Sequence, residues 1–565
     1  MPPSLANLLE QLEEQKRAFA AKDVAKTVKL LAALASRRFT DAESLIRFHE
    51  SLLFMRAYPQ AKRVLARVEK ILKAFRERVE YLRETGADIS YFDYGEVSGI
   101  VGTSFPAGFS YPVARWLALS HASKAKLDWE GYEGDARLGE TLPRFLPLLE
   151  DDALVEANVP FLRWLRAAEG NSKQDLAWLV ERFERSHLSE REKAEAYDSL
   201  SLWIRLSCAS YRFSRTGMRS PARKIFYHTG PLIARRDISL VKELKSAPLP
   251  IKKLRRAEGE AALEMTRAAS AVRYRELYGF THGDARRVVK ANLGRGVEIF
   301  VFGVPPRVRL PLRAYHAGFI LKNSVPVGYV EGISLFEKME IGFNLYYTFR
   351  DGETAWLYAR VMRLFRQLAG VTAFSIDPYQ IGFENEEGIE SGAFWFYRKL
   401  GFRTTRAELA KMTESEEKKI LARKGYRTTA RTLRRLAAGH MIFELSETAR
   451  GSWDNFQVRN LGLAVQRRMA SDFGGDALRI RRASVENVER ALKVRTARWK
   501  EDEKLAFENL SLVLSLIPEL ESWAKEEKQA VVRIIRAKAG AQESLYLRLQ
   551  QKHPKLREAI IKLGS

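Results

Sequence analysis

Five carboxylates, Asp377, Glu384, Glu386, Glu387 and Glu390, fall within fourteen residues of a chain whose 95 Lys and Arg outnumber its 70 Asp and Glu. A local negative field in a basic protein suits a cationic amine substrate. On that ground Glu384, Glu386 and Glu387 are the candidate substrate-binding residues. Carboxylates also bind hard cations, but this spacing matches no Mg²⁺ or Ca²⁺ loop, and no metal ligands are assigned. The alternative is a solvated loop in which Glu386 and Glu387 are the acidic first turn of a helix.

The opposite pole lies upstream. Residues 205–256 hold 14 Lys and Arg against Asp237 and Glu243 alone, a local excess of 14 − 2 = +12 out of the chain's +25. Such a stretch attracts nucleic acid, an anionic membrane surface or an acidic protein by long-range field, or is simply solvated. No helix-turn-helix, zinc-finger or RNA-recognition signature accompanies it, so nucleic acid is not the favoured partner. Other chemistries find no support. The eight histidines are scattered without HExxH spacing, and neither a GxSxG elbow nor a Walker loop is present. Gly294-Arg295-Gly296 is too short for a phosphate loop. Cys208 is the single cysteine. Nearby cations would lower its thiol pKa if it were a nucleophile, and a small buried residue is the alternative.

Around these residues the chain divides into four regions. Residues 1–85 read as helices, with Thr40 and Glu43 as a capping box and Leu45, Phe48, Leu52 and Leu53 as a core stripe. Residues 86–260 begin with a segment dense in Gly, Pro and aromatics, which is either a pocket lining or a buried connector. Helical spacing follows, with Leu142, Phe145, Leu146 and Leu149, then the basic stretch with a strand expected at 224–228. An alanine-rich helix at about 257–278 leads into residues 270–405, where strands alternate with helices. There, 297–303 reads as a strand, 317–321 and 327–335 as a hairpin, and 340–349 as a third strand. A turn at 350–353 precedes a helix with Thr354 as its cap. A strand at 371–376 leads to the acidic loop. Residues 406–565 read as mostly helical.

The run from Ser391 to Phe402 carries a resemblance. Ala393, Tyr397, Lys399, Gly401 and Phe402 match the spacing of the closing motif of the GNAT superfamily, the acyl-CoA-dependent N-acyltransferases. The preceding order of hairpin, strand, turn, helix and strand is also similar. The resemblance covers about 130 of 565 residues. It implies an α+β fold, a GNAT-like mixed sheet with helices in the centre, flanked by large mostly helical regions. It implies transfer of an acyl group from a thioester, acyl-CoA or an acyl carrier protein, to an amine. Tyr397 matches the position that protonates the departing thiolate, which a phenol can do because its pKa of about 10 lies near that of a thiol. Glu340 matches the general base. Arg350, Gly352, Thr354 and Ala355 match the turn that holds the coenzyme A diphosphate at a helix N-terminus. Asp351 and Glu353 stand in the same turn, and each carboxylate opposes a diphosphate by roughly 1 kcal/mol or more at surface dielectric.

The basic stretch would suit an acidic acyl carrier protein. An inactive GNAT-like scaffold that binds nucleic acid or an acidic partner is the reading from another class. Composition frames both: 46% hydrophobic residues exclude a disordered chain. The acidic, helical N-terminus has no signal-peptide pattern, and no apolar run approaches the ~20 residues of a membrane span. With one cysteine, the expectation is a cytoplasmic protein.

Overall fold

The computed structural model describes residues 3–147, 160–170, 174–221, 224–446 and 450–565. The expected core position Leu149 lies outside them. The chain is mixed α/β, with two sheets. Strands β1 (Ser104–Ala107), β2 (Ala125–Leu127) and β3 (Ile204–Ser207) make a small sheet in the order β1-β3-β2. The large sheet has nine strands: β4 (Ile251–Lys253), β5 (Val288–Gly294), β6 (Val297–Phe302), β7 (Ala314–Lys322), β8 (Val325–Leu335), β9 (Lys338–Leu345), β10 (Ala373–Ile376), β11 (Arg403–Thr404) and β12 (Met441–Glu444). From β4 to β10 they lie in chain order, after which β12 inserts between β10 and β11. All neighbours are antiparallel except β9 and β10. The sheet thus takes in two strands from outside residues 270–405, β4 at one edge and β12 next to the other. At β4 all three side chains are exposed and two are lysines, charges that guard an open edge against pairing.

Alternation along the strands puts both faces to use. Ile299, Val301, Ile320, Met339 and Ile341 share one core with the N-terminal helices, the C-terminal helices and the helix Thr354–Ala369. Phe300, Phe302, Tyr315, Ala317 and Phe319 share a second core with Leu263, Phe280 and the small sheet. The β7–β8 hairpin turns on Asn323 and Ser324, both left-handed at φ 47° and 68°, as a two-residue turn of the type that matches strand twist requires. Pro326 sits beside the register shift at Ile320/Leu321, a place where a missing N–H costs no ladder bond.

Three local expectations are corrected. Helix Ala42–Ala57 is capped by Asp41, whose carboxylate accepts from Ser44 N at 2.7 Å, and not by Thr40. Thr354 is the first helical residue, not the cap; its hydroxyl donates to the Arg350 carbonyl at 2.9 Å. Residues 224–228 form no strand. The main chain of Phe226 is instead satisfied by one side chain, donating to Asn323 Oδ1 at 2.8 Å and accepting from Asn323 Nδ2 at 2.9 Å.

Candidate functional site

The parallel pair β9–β10 is joined at only three positions, Ala373 with Lys338, Phe374 with Met339 and Ser375 with Glu340. Strand β9 runs on to Leu345 while β10 ends at Ile376 and the chain turns through the short helix Pro378–Ile381. The two strands therefore part, and a cleft of about 530 Å³ opens between them. Gly342 to Leu345 form one wall, Tyr379 and Gln380 the other, with Arg350, Thr354, Ala393, Phe396 and Tyr397 at its base. Tyr397 is 5% exposed and packs its ring against Tyr358 and Phe402 at 5.6 Å each. Among the described residues its hydroxyl has no hydrogen-bond partner. Burial pushes the phenol above its ordinary range, which keeps the proton on oxygen at neutral pH but makes the free phenol a weaker acid than the match to a thiol would ask.

Glu340 stands next door. On β8 and β9, Glu340 faces Ile333, Gly342 faces Glu331 and Asn344 faces Tyr329, so these side chains share one face of the sheet. Glu340 lines a second cleft of about 240 Å³, with Arg313, Lys338, Asp377, His440 and Arg459. Its carboxylate lies 3.8 Å from the Arg313 guanidinium. The two clefts adjoin along β9, where Glu340 lines one and Gly342 the other, and the Gln380 amide nitrogen lies over Gly342, 2.6 Å from where a Cβ would stand. The expected acid and base are thus in adjoining cavities. Two carboxylates share the Tyr397 cleft, Glu331 and Glu387, and Glu331 accepts a hydrogen bond from the Tyr315 hydroxyl.

The turn expected to hold a diphosphate is closed. A Cβ on Gly352 would lie 2.4 Å from the Tyr58 hydroxyl, which also faces the Glu353 main chain. The Glu353 carboxylate points inward at 1% exposure, accepting from Ile233 N at 3.2 Å and from Arg295 Nε at 3.0 Å, with Lys322 Nζ 3.7 Å away. Lys322 lies over the rings of Tyr58 and Phe226, and burial, against the pull of Glu353, lowers its pKa to about 7. Asp351 faces Lys16 at 3.5 Å. The carboxylate repulsion read from the sequence is therefore neutralised within the protein, by cations from three other segments. Ala355 is buried. Of the four expected cofactor residues, Arg350 and Thr354 reach the cleft, while Gly352 and Ala355 do not line it. These residues do not fit the diphosphate of coenzyme A.

The acidic loop is mostly committed to structure. Glu386 accepts two hydrogen bonds from Arg434 at 2.8 Å, which hold its carboxyl below the usual range. Glu387 pairs with Arg350 in the cleft wall, so an expected substrate residue neutralises an expected donor residue. Both belong to the first turn of helix Glu386–Glu390, capped by Asn385. Glu384 is exposed, with a left-handed backbone at φ 51°, and does not line the cleft. Among the described residues no group of three or more His, Cys, Asp and Glu is arranged to hold a metal ion, and no helix is long and apolar enough to cross a membrane.

The basic stretch does not form one patch. Arg215 is buried, donating to Glu50 at 2.7 Å. Arg205, Arg219, Lys252, Arg255 and Arg256 pair with carboxylates. Lys252 and Lys253 occupy the far edge strand, five strands from β9, or roughly 24 Å at the usual strand spacing. Arg235 is brought near the core's last helix, where burial first and then the charges of Arg235 and Arg427 lower the pKa of Lys399. Cys208 is buried, and burial pushes its thiol up to about 12, so it is no nucleophile at neutral pH.

Four residues of this region were not singled out from sequence: Tyr58, Glu331, Gln380 and His440. Alternation on β8 would have placed Glu331 beside Gly342, given the register. Nothing local marks the other three, because each acts through contacts made far along the chain. The chain matches no protein-family model, no curated protein and no solved structure.

Proposed function

We propose that this protein is an N-acyltransferase with a GNAT-like core, which moves an acyl group from a carrier-bound thioester to an amine. The observation that carries the reading is the gap where β9 and β10 part, with the proton-bearing phenol of Tyr397 at its base. A thioester laid in that gap loses its thiolate beside a buried acid, which supplies the proton that departure needs. The order of hairpin, strand, turn, helix and strand supports the same reading. So does the openness of the cleft, since a scaffold that had abandoned catalysis would be free to fill it.

The closed turn at Gly352 favours a donor tethered through phosphopantetheine to a carrier protein over free acyl-CoA. Such a donor needs no diphosphate cradle, and the cluster of Arg235, Lys399 and Arg427 beside the Tyr397 helix suits an acidic carrier. The test is thiol release from acyl-carrier and acyl-CoA donors, comparing wild type with Tyr397→Phe. Loss of the general acid lowers kcat by about 10²-fold or more. Absence of turnover with every donor, together with steeply salt-dependent binding to nucleic acid, establishes the scaffold alternative instead.

A further inference from the structure

The second cleft contains groups of both charges over an apolar floor. Glu340 and Asp377 supply carboxylates; Arg313, Lys338 and Arg459 supply cations; Ile333, Leu335, Phe456 and Val458 supply apolar surface. Several of these charges are held loosely or not at all. The Glu340–Arg313 contact is long, at 3.8 Å. Lys338 rests over the rings of Trp453 and Phe456, 5.4 and 5.5 Å from their centroids. Arg459 is exposed, and no carboxylate pairs with it among the described residues. Asp377 uses Oδ1 to accept from Tyr379 N at 2.9 Å.

His440 completes the group. Its ring lies beside the Ile376 main chain and feels Asp377, Lys338 and Glu340. Its Nδ1 is buried and, among the described residues, has no hydrogen-bond partner. Buried polar atoms are normally paired, so an orphaned ring nitrogen beside a cavity points to a partner that the protein does not itself supply. A neutral imidazole carries a proton on one ring nitrogen and a lone pair on the other, the form a general base requires.

We infer that this cleft is the acceptor site and that it takes an α-amino acid with an apolar side chain, the ammonium held at Glu340, Asp377 and His440 and the carboxylate at Arg459 and Arg313. The inference rests on the acyltransferase reading for its use in catalysis but not for binding. An acid and a base of this kind, with opposite charges a few ångström away, match a zwitterion better than a simple amine, which would leave the arginines unanswered. Strand β9 contributes to both cavities, Glu340 to this one and Gly342 to the other, so the thioester carbonyl belongs between them. The transfer then balances. The amine nitrogen bonds to the acyl carbon and the carbon–sulfur bond breaks. The ammonium nitrogen gives up two protons in becoming an amide; His440 passes these to solvent, and Tyr397 returns one equivalent to the thiolate.

Binding is measured on the full-length protein by calorimetry, with L-leucine as the probe and N-acetyl-L-leucine, L-leucinamide and isobutylamine as controls. L-Leucine binds, while each control, lacking one charge or the other, binds about 10-fold more weakly or not at all. Arg459→Met and Glu340→Gln each weaken L-leucine by about 10-fold; Arg459 is exposed, so its variant leaves folding intact. Ring ¹⁵N shifts of His440 move when L-leucine is added. The site is overturned if the probe fails to bind, if the controls bind as well as L-leucine, or if the Arg459 variant and the His440 resonances are indifferent to it. Binding without acyl transfer from any donor upholds the site and removes the proposed function. Transfer to amines whose KM ignores the carboxylate upholds the function and removes the site.

Discussion

The hydroxyl of Tyr58 and the α-carbon of Gly352 lie against each other, so closely that a methyl group on Gly352 would be 2.4 Å from the phenolic oxygen. The same hydroxyl faces the main chain of Glu353. A residue at the end of the third N-terminal helix thereby occupies the entrance to helix Thr354–Ala369, where unpaired N–H groups would otherwise receive an anion.

Donors that differ only in the nucleotide should consequently be treated alike. The kcat/KM for an acyl-pantetheine is expected within about threefold of that for the matching acyl-CoA, because no turn contact distinguishes them. Initial rates of thiol release measure the ratio. A preference for the CoA ester by two orders of magnitude would show that the diphosphate is held after all.

Glu353 balances the buried Lys322 and the partly exposed Arg295, and its replacement by Gln leaves both without a carboxylate. Breaking a buried pair from one side costs about 3–5 kcal/mol. Urea denaturation of Glu353→Gln reads this loss, and adding Lys322→Met should recover part of it.

His228 is enclosed by Phe19, Tyr58 and Phe226 at ring distances of 4.9–5.3 Å. Burial first, then Lys322 and Arg295, lower its pKa to about 3. The unfolded chain binds this proton near pH 6.5 and the native protein does not, so the contribution is intact above pH 6.5 and lost as pH falls toward 3. The slope is about 1.4 kcal/mol per pH unit inside that window. Stability measured at pH 7, 6 and 5 should show it, and His228→Phe, which keeps a ring in the cage, should flatten it.

Asn323 binds three places at once: it accepts from Phe226 N and donates to the carbonyls of Phe226 and Ala57. Asn323→Ala is expected to cost roughly 2–4 kcal/mol through lost hydrogen bonds and the left-handed backbone. Asn323→Gly keeps the backbone freedom, so it should cost about 1 kcal/mol less in the same urea titration.

What was legible in the sequence is what is written locally. The helix Thr354–Ala369 and the alternating strands β6 to β9 follow from periodicity, and the run from Ala393 to Phe402 marked the short helix with Tyr397. The strands β4 and β12 are only three and four residues long, too short for a pattern, and their partners are remote. The Thr40 cap was displaced by Asp41, an equally good cap one residue on, because side-chain geometry decides between neighbours. The diphosphate turn misled for a different reason. Glu353 looks like an obstacle when read with its neighbours. Its meaning lies in Arg295, Lys322 and Tyr58, which no local spacing connects to it.

The position of β12 bears on how the protein is made. Strand β11 has no partner but β12, and β12 also covers the free side of β10. A nascent chain shorter than about 440 residues therefore carries β10 with one bare edge and β11 unpaired, on either side of the helix that holds Tyr397. The cleft takes its final shape only after Met441–Glu444 have left the ribosome and threaded back between strands already synthesised. Synthesis order thus delays assembly of the Tyr397 cleft until more than three quarters of the polypeptide exists.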